Sequence, residues 1–172
     1  PRGIYLTGVV VTRSVEGSCD LRALRRAGAE PWIRHGRDAS GEMMAELGDL
    51  LARVHRCNLI HGDFMLKNIL YCSGGTEVPY RMIDLASGWT VKRGTEDPAG
   101  RRQDLLRFIC SLARNGRGIP TVRRFLESYS LKWDTTVSAT AAAKELFRAC
   151  IQERDSKSRE AAQLLAIDPK QP

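Results

Sequence analysis

His61-Gly62-Asp63-Phe64-Met65-Leu66-Lys67-Asn68-Ile69-Leu70 and, a turn later, Met82-Ile83-Asp84-Leu85-Ala86 are the most informative segments of the chain. The first reads H-x-D-x-x-x-x-N and runs into the apolar Ile69-Leu70-Tyr71, a short strand. Ser73-Gly74-Gly75 supplies a turn, and Tyr80 to Leu85 returns as the partner strand, with Ile83 and Leu85 apolar on either side of Asp84. Such a hairpin brings the residue before its first strand and one near the end of its second to the same edge, so Asn68 and Asp84 should meet there. Phosphoryl transfer needs this set of groups. One carboxylate orients an attacking hydroxyl and accepts its proton, and hard oxygen ligands hold Mg²⁺ on nucleotide phosphates. Asp63 suits the first task; Asn68 and Asp84 suit the second. Alone, each has an ordinary structural reading, as a turn Asp, a strand-start Asn and a surface Asp. All three in this spacing, with apolar strands on both sides, argue against that reading.

Working outward, Met43, Met44, Leu47, Leu50, Leu51 and Val54 recur at three- and four-residue steps. This predicts an amphipathic helix capped by Ser40 and ending near Asn58. Farther upstream, Asp20 should cap a short helix, Leu21 to Ala27, stopped by Gly28, and Ile4 to Thr12 reads as a β-branched strand. Downstream, Gly94, Pro98 and Gly100 mark Gly88 to Arg102 as loop. Helical patterns follow at Gln103 to Arg114, Thr121 to Leu131 and Ala139 to Arg154, with a weaker one at Lys157 to Ile167.

A chain of 172 residues is one domain, or one lobe of a larger one. With 42% hydrophobic and 27% charged residues it has ordinary globular usage and enough material for a core. No apolar run approaches the roughly 18 residues of a membrane-spanning helix, and no signal-peptide pattern is present. Cys19, Cys57, Cys72, Cys110 and Cys150 are odd in number, scattered and without a C-x-x-C pair. That spacing indicates neither a disulfide framework nor a zinc knuckle, and suits a reducing compartment. The net charge of +7 favours anionic partners without selecting one.

Together, the H-x-D-x-x-x-x-N loop, the hairpin and the following Asp resemble the protein-kinase-like superfamily. Leu51-Ala52-Arg53-Val54-His55 with Asn58-Leu59-Ile60 looks like that family's helix before the catalytic loop, and Ile4 to Leu21 looks like its hinge. Asp-Phe after His-Gly, the Leu-Lys-Asn ending, Ile83-Asp84-Leu85, Asp104-Leu105-Leu106 and Phe125-Leu126-x-x-Tyr129 are most similar to the lipopolysaccharide kinase (Kdo/WaaP) family, over most of the chain to about Tyr129. The resemblance implies an α+β fold: a kinase-like C-terminal lobe, mostly helical, with a small β-hairpin carrying the metal site and the N-terminal lobe absent. Residues 1–18 would be hinge-like strand and loop, 19–58 helices, 59–88 the catalytic loop and metal-binding hairpin, and 89–172 the helical remainder.

The implied activity is transfer of the ATP γ-phosphate to a hydroxyl, most plausibly of a lipopolysaccharide-core sugar. Asp63 is then the catalytic carboxylate, Asn68 and Asp84 are the Mg²⁺ ligands, and Lys67 is a phosphate contact. ATP and Mg²⁺ are the implied cofactors, an anionic glycolipid the implied acceptor. The implied location is cytoplasmic, with at most peripheral contact at the inner face of the cytoplasmic membrane.

Several positions depart from protein kinases. Met65 stands where a phosphate-contacting Lys is usual, and Leu85-Ala86 replaces the Phe-Gly switch. No glycine-rich hairpin, strand lysine or helix glutamate precedes the hinge-like strand, so the chain reads as the C-terminal lobe of a longer protein or as a truncated relative. A small-molecule kinase of the aminoglycoside or choline type and a non-catalytic pseudokinase scaffold are the alternatives. Without interleaved aromatic and basic residues, nucleic-acid binding has no support.

Other residues have simpler expected roles. His61 should be a buried structural histidine, His55 a helix-surface or packing residue, and His35 a loop residue. Asp104 should either cap the helix at Leu105 or anchor the catalytic-loop backbone. Lys92-Arg93, Arg101-Arg102 and Arg123-Arg124 should be solvated, and Trp89, Trp133 and Phe108 should lie in the core.

Overall fold

The computed structural model describes residues 17–34, 37–73, 79–131 and 141–152. The predicted strand at Ile4 to Thr12, the helix at Lys157 to Ile167, His35 and Trp133 lie outside those residues. The described elements run β1 (Ser18–Asp20), α1 (Leu21–Ala27), β2 (Ile33–Arg34), β3 (Arg37–Asp38), α2 (Ser40–Arg56), β4 (Leu59–Ile60), β5 (Ile69–Cys72), β6 (Tyr80–Met82), β7 (Trp89–Thr90), α3 (Pro98–Arg114) and α4 (Ile119–Leu131). Short 3₁₀ turns lie at Leu66–Asn68 and Leu85–Ser87, and 141–152 is helical. This is a mixed α+β fold in which helices enclose small antiparallel sheets.

Local chemistry explains α1. The Asp20 carboxylate accepts the Ala23 N–H at 2.9 Å, and Gly28 ends the helix in the left-handed region. The start of α2 differs from expectation. Ser40 is its first helical residue rather than its cap, and Asp38 Oδ1 accepts the Ser40 N–H at 2.8 Å. Hydrogen bonds from the Ser40 hydroxyl, the Ser40 backbone and Arg117 hold the Asp38 carboxyl below its usual value. The Arg117 guanidinium lies 3.1 Å from Asp38 and 4.8 Å from the ring centre of buried Trp32, tying the β2–β3 ribbon to the segment after α3.

The apolar stripe of α2 turns inward, burying Met43, Met44, Leu47 and Leu51 against α4. The two helices approach closely at Gly48. A Cβ there would strike the Phe125 carbonyl oxygen and come within 3.0 Å of Tyr129 N. Phe64, Phe108 and Phe125 continue the core as a chain of tilted rings, with centres 5.1 and 4.6 Å apart. Each fully buried side chain of this size stabilises the fold by roughly 1.5–3 kcal/mol, so the loop that carries Phe64 is anchored from beneath.

In the hairpin, β5 pairs with β1 and β6, with Ile69 opposite Met82. The second strand ends at Met82 rather than Leu85: Ile83 N–H, donating to Asn68 O at 3.0 Å, continues the register for one more bond, but Asn68 closes the 3₁₀ turn Leu66–Asn68 and the chain then turns through left-handed Asp84. Residues 88–102 are not all loop. β7 pairs with β4, and α3 begins at Pro98, capped by Asp97, whose Oδ1 accepts the Gly100 N–H at 2.8 Å.

Cys110 on α3 and Cys150 in the helical stretch 141–152 are joined as a disulfide, with Cα atoms 5.3 Å apart. This corrects the expectation of no disulfide: the partners are 40 residues apart and meet only through helix packing. Phe108 is core as expected, but Trp89 is 38% exposed, its indole N–H bonded to Asp97 Oδ2 at 3.0 Å. Arg123 and Arg124 are exposed and pair with Glu127, whereas Arg101 is largely buried. No helix among the described residues is long and apolar enough to cross a membrane.

Candidate active site

The loop from His61 to Asn68 alternates in burial. Phe64, Leu66 and Asn68 are buried, while Asp63, Met65 and Lys67 are half-buried. Phe64 packs on Phe108, and the Leu66 amide donates to Ser111 Oγ at 3.2 Å. The apolar residues of the motif therefore grip the helices and hold the polar ones outward.

Both ends of the loop are held by specific bonds. Asp104, fully buried in the second turn of α3, accepts the His61 N–H at Oδ2 (2.7 Å) and the Gly62 N–H at Oδ1 (2.8 Å). It is an anchor of the loop backbone and not a helix cap, since α3 starts at Pro98. Gln103 Nε2 donates to Gly62 O at 3.2 Å. Gly62 has φ +79°, and a Cβ there would collide with the Ser87 carbonyl oxygen.

At the other end, Asn68 Nδ2 donates to Asp63 O (2.9 Å) and Asp63 Oδ2 (3.0 Å). Both partners are acceptors, so the amide orientation follows from chemistry. Lys67 Nζ lies 3.3 Å from the same Asp63 Oδ2. Among the described residues, Asp63 Oδ1 and Asn68 Oδ1 take no hydrogen bond.

The structure thus brings Asp63, Lys67 and Asn68 into direct contact. Asp84 makes no hydrogen bond or ion pair with them among the described residues. It is exposed, follows the strand rather than lying on it, and is left-handed with φ 60° and ψ 57°, a region that Asp tolerates better than most residues. Its place is set through Ile83, whose N–H donates to Asn68 O at 3.0 Å and whose carbonyl accepts from His61 Nε2 at 3.1 Å. His61 Nδ1 in turn accepts the Asp63 N–H at 3.3 Å. One buried imidazole therefore links the backbone of Asp63 to the peptide that leads into Asp84. Among the described residues, no three His, Cys, Asp or Glu side chains gather as a metal site.

His55 is not on the helix surface. It is 1% exposed, with Nε2 3.1 Å from Asp104 Oδ2 and Nδ1 2.8 Å from the Tyr129 hydroxyl. Sequence reasoning gave no role to Gln103, Ser111 or the Tyr129 hydroxyl. Only Tyr129 carried a signal, as the last residue of Phe125-Leu126-x-x-Tyr129.

Comparison with known proteins follows the same lines. The model of the lipopolysaccharide kinase (Kdo/WaaP) family matches residues 3–129. Comparison with curated proteins gives no match. Among solved structures, WaaP in complex with acyl carrier protein is similar, with a TM-score of 0.55 and 18% identity over 88% of this chain. This chain spans 59% of that protein's length, and at such identity the likeness is one of fold. The family model covers the catalytic-type loop, the hairpin and the helices that hold them, and the chain belongs to the lipopolysaccharide kinase (Kdo/WaaP) family.

Proposed function

We propose that the chain is the catalytic part of an ATP-dependent kinase that phosphorylates a hydroxyl of a lipopolysaccharide-core sugar. The observation that carries this reading is the His61 bridge. It ties the Asp63 amide and the Ile83 carbonyl to one ring, so the two carboxylate-bearing segments share one anchor. Asp63 receives Asn68 and Lys67 at Oδ2, which orients it and leaves Oδ1 to accept the proton of the incoming hydroxyl.

The donor set fits Mg²⁺. Asn68 has its NH₂ turned to Asp63 and its amide oxygen unbonded, and Asp84 presents an exposed carboxylate. An amide and a carboxylate suffice for an ion that keeps phosphate oxygens and water as its other ligands, where it neutralises charge on the nucleotide. Lys67, whose Nζ lies 3.3 Å from Asp63 Oδ2, would contact a transferred phosphate. The family supports the acceptor class, and the net charge of +7 suits an anionic glycolipid.

The test is γ-phosphate transfer from ATP to lipopolysaccharide core by the intact gene product and its Asp63→Asn form. Loss of about 10²- to 10⁴-fold in turnover is expected for removal of a positioned base. A near-wild-type rate overturns the assignment of Asp63. Transfer to an aminoglycoside or choline but not to lipopolysaccharide would replace the acceptor, and absence of Mg²⁺-dependent ATP binding would leave a scaffold.

A further inference from the structure

We infer that Tyr129 and His55 are positioning residues, forming a buried hydrogen-bond chain that runs from α4 through α2 to Asp104 on α3 and sets the backbone of the catalytic-type loop. The chain follows from donor and acceptor chemistry. The Asp104 carboxylate can only accept, and it already takes the His61 and Gly62 amides, so His55 Nε2 must carry a proton to bond it. In the neutral ring Nδ1 is then an acceptor, and the Tyr129 hydroxyl, 2.8 Å away, is the donor it faces. Burial raises the Tyr129 phenol to about 12, with the Asp104 charge adding to the rise, so the hydroxyl stays protonated and able to donate.

Tyr129 thereby selects the His55 tautomer that bonds Asp104, and Asp104 fixes the amides directly ahead of Asp63. His55 and Asp104 side chains have no solvent exposure, so water cannot replace a missing member. The edge-on contact between the His55 and Tyr129 rings, with centres 5.6 Å apart, holds the donor in line. Both are buried and act on the loop through Asp104.

The kinetic arm of the test rests on the proposed kinase reading; the structural arm does not. Tyr129→Phe keeps the ring and removes only the donor. Amide hydrogen exchange at residues 61–63 should then quicken by about fivefold, the worth of one ordinary hydrogen bond, while exchange within α2 and α3 is unchanged. His55→Gln retains an N–H donor in reach of Asp104 and should restore part of the protection that His55→Ala loses. In phosphate transfer, Tyr129→Phe should lower kcat by a similar factor and leave the KM for ATP unaltered. Uniform acceleration across the protein, or exchange at 61–63 equal to that of the unsubstituted chain, overturns the inference. Altered exchange without any phosphate transfer would sustain the chain of bonds and refute the kinase reading instead.

Discussion

Asp104→Asn is the most discriminating substitution in the fold, because it changes one atom at a site with no solvent. The carboxylate takes three donors, the His61 and Gly62 amides at 2.7 and 2.8 Å and His55 Nε2 at 3.1 Å, divided between two oxygens. An asparagine has only one acceptor oxygen. In its better orientation that oxygen keeps His61 and His55, and the NH₂ then faces the Gly62 N–H, donor against donor. One charge-assisted bond is lost, worth about 1.5–3 kcal/mol, and a buried donor is left unpaired at a further 1–3 kcal/mol or so. The sum is roughly 2.5–6 kcal/mol, a large part of the 5–15 kcal/mol that is usual for a domain. At this chain length that lowers Tm by roughly 5–24 °C. Urea unfolding should show a reduced midpoint with an unchanged slope, the sign that stability and not compactness has changed. A loss below about 1 kcal/mol would mean that Asp104 does not hold the loop as described.

Gly62→Ala places a Cβ against the Ser87 carbonyl at a positive φ, so it should destabilise by about 2 kcal/mol or more, read in the same unfolding assay; an unaltered midpoint would contradict the close approach. The Asp97 carboxyl is held below its ordinary 3.8 by the Gly100 amide first and the Trp89 indole next. Its folded value is depressed, so its contribution is full above the unfolded value and lost as pH falls through the folded one. The stability difference between the wild type and Asp97→Asn should therefore be constant near neutrality and shrink only as pH falls below about 3.8, through the depressed folded value; a difference that grows on acidification would refute the sign. Titration of denatured, unreduced chain should find the thiols of Cys19, Cys57 and Cys72, with Cys110 and Cys150 appearing only after reduction. All five reacting without reductant would remove the link between α3 and 141–152.

What could be read in advance was what depends on near neighbours in sequence. The cap and stop of α1 are Asp20 and Gly28, each three residues from a group it bonds, Ala23 N–H and Arg25 O, and they fall where the pattern put them. The apolar period of α2 is likewise local, although its first turn is set by Asp38 rather than Ser40. Asn68 and Asp63, whose contact spans five residues, both belong to the H-x-D-x-x-x-x-N motif, but the spacing by itself points to Asn68 beside Asp84 at the hairpin edge. The misses are long-range. β7 exists because Trp89 and Thr90 lie against Ile60 and Leu59, and nothing near residue 89 announces that pairing. Asp84 leaves the strand because the stretch facing it before Ile69 is the 3₁₀ turn Leu66–Asn68, which offers no extended residue to pair beyond Ile83. His55 reads equally as a surface or a packing histidine, and only its partners, 49 and 74 residues away, decide for the buried place.

That division has a physical consequence for the site. Asn68 and the peptide before Asp84 are joined by the β5–β6 register, which the hairpin supplies almost by itself. Asp63 depends on a different set of forces. Phe64 lies in the core aromatic chain, Gly62 is wedged under Ser87, and Asp104 holds two successive amides from a separate helix. Two supports of independent origin meet only at Asn68, whose side chain bonds Asp63 while its carbonyl accepts Ile83 N–H, and at the His61 ring. The oxygens proposed for the ion are thus set by strand pairing and the proposed base by helix packing, so a defect in the helices displaces Asp63 relative to a hairpin that stays in register.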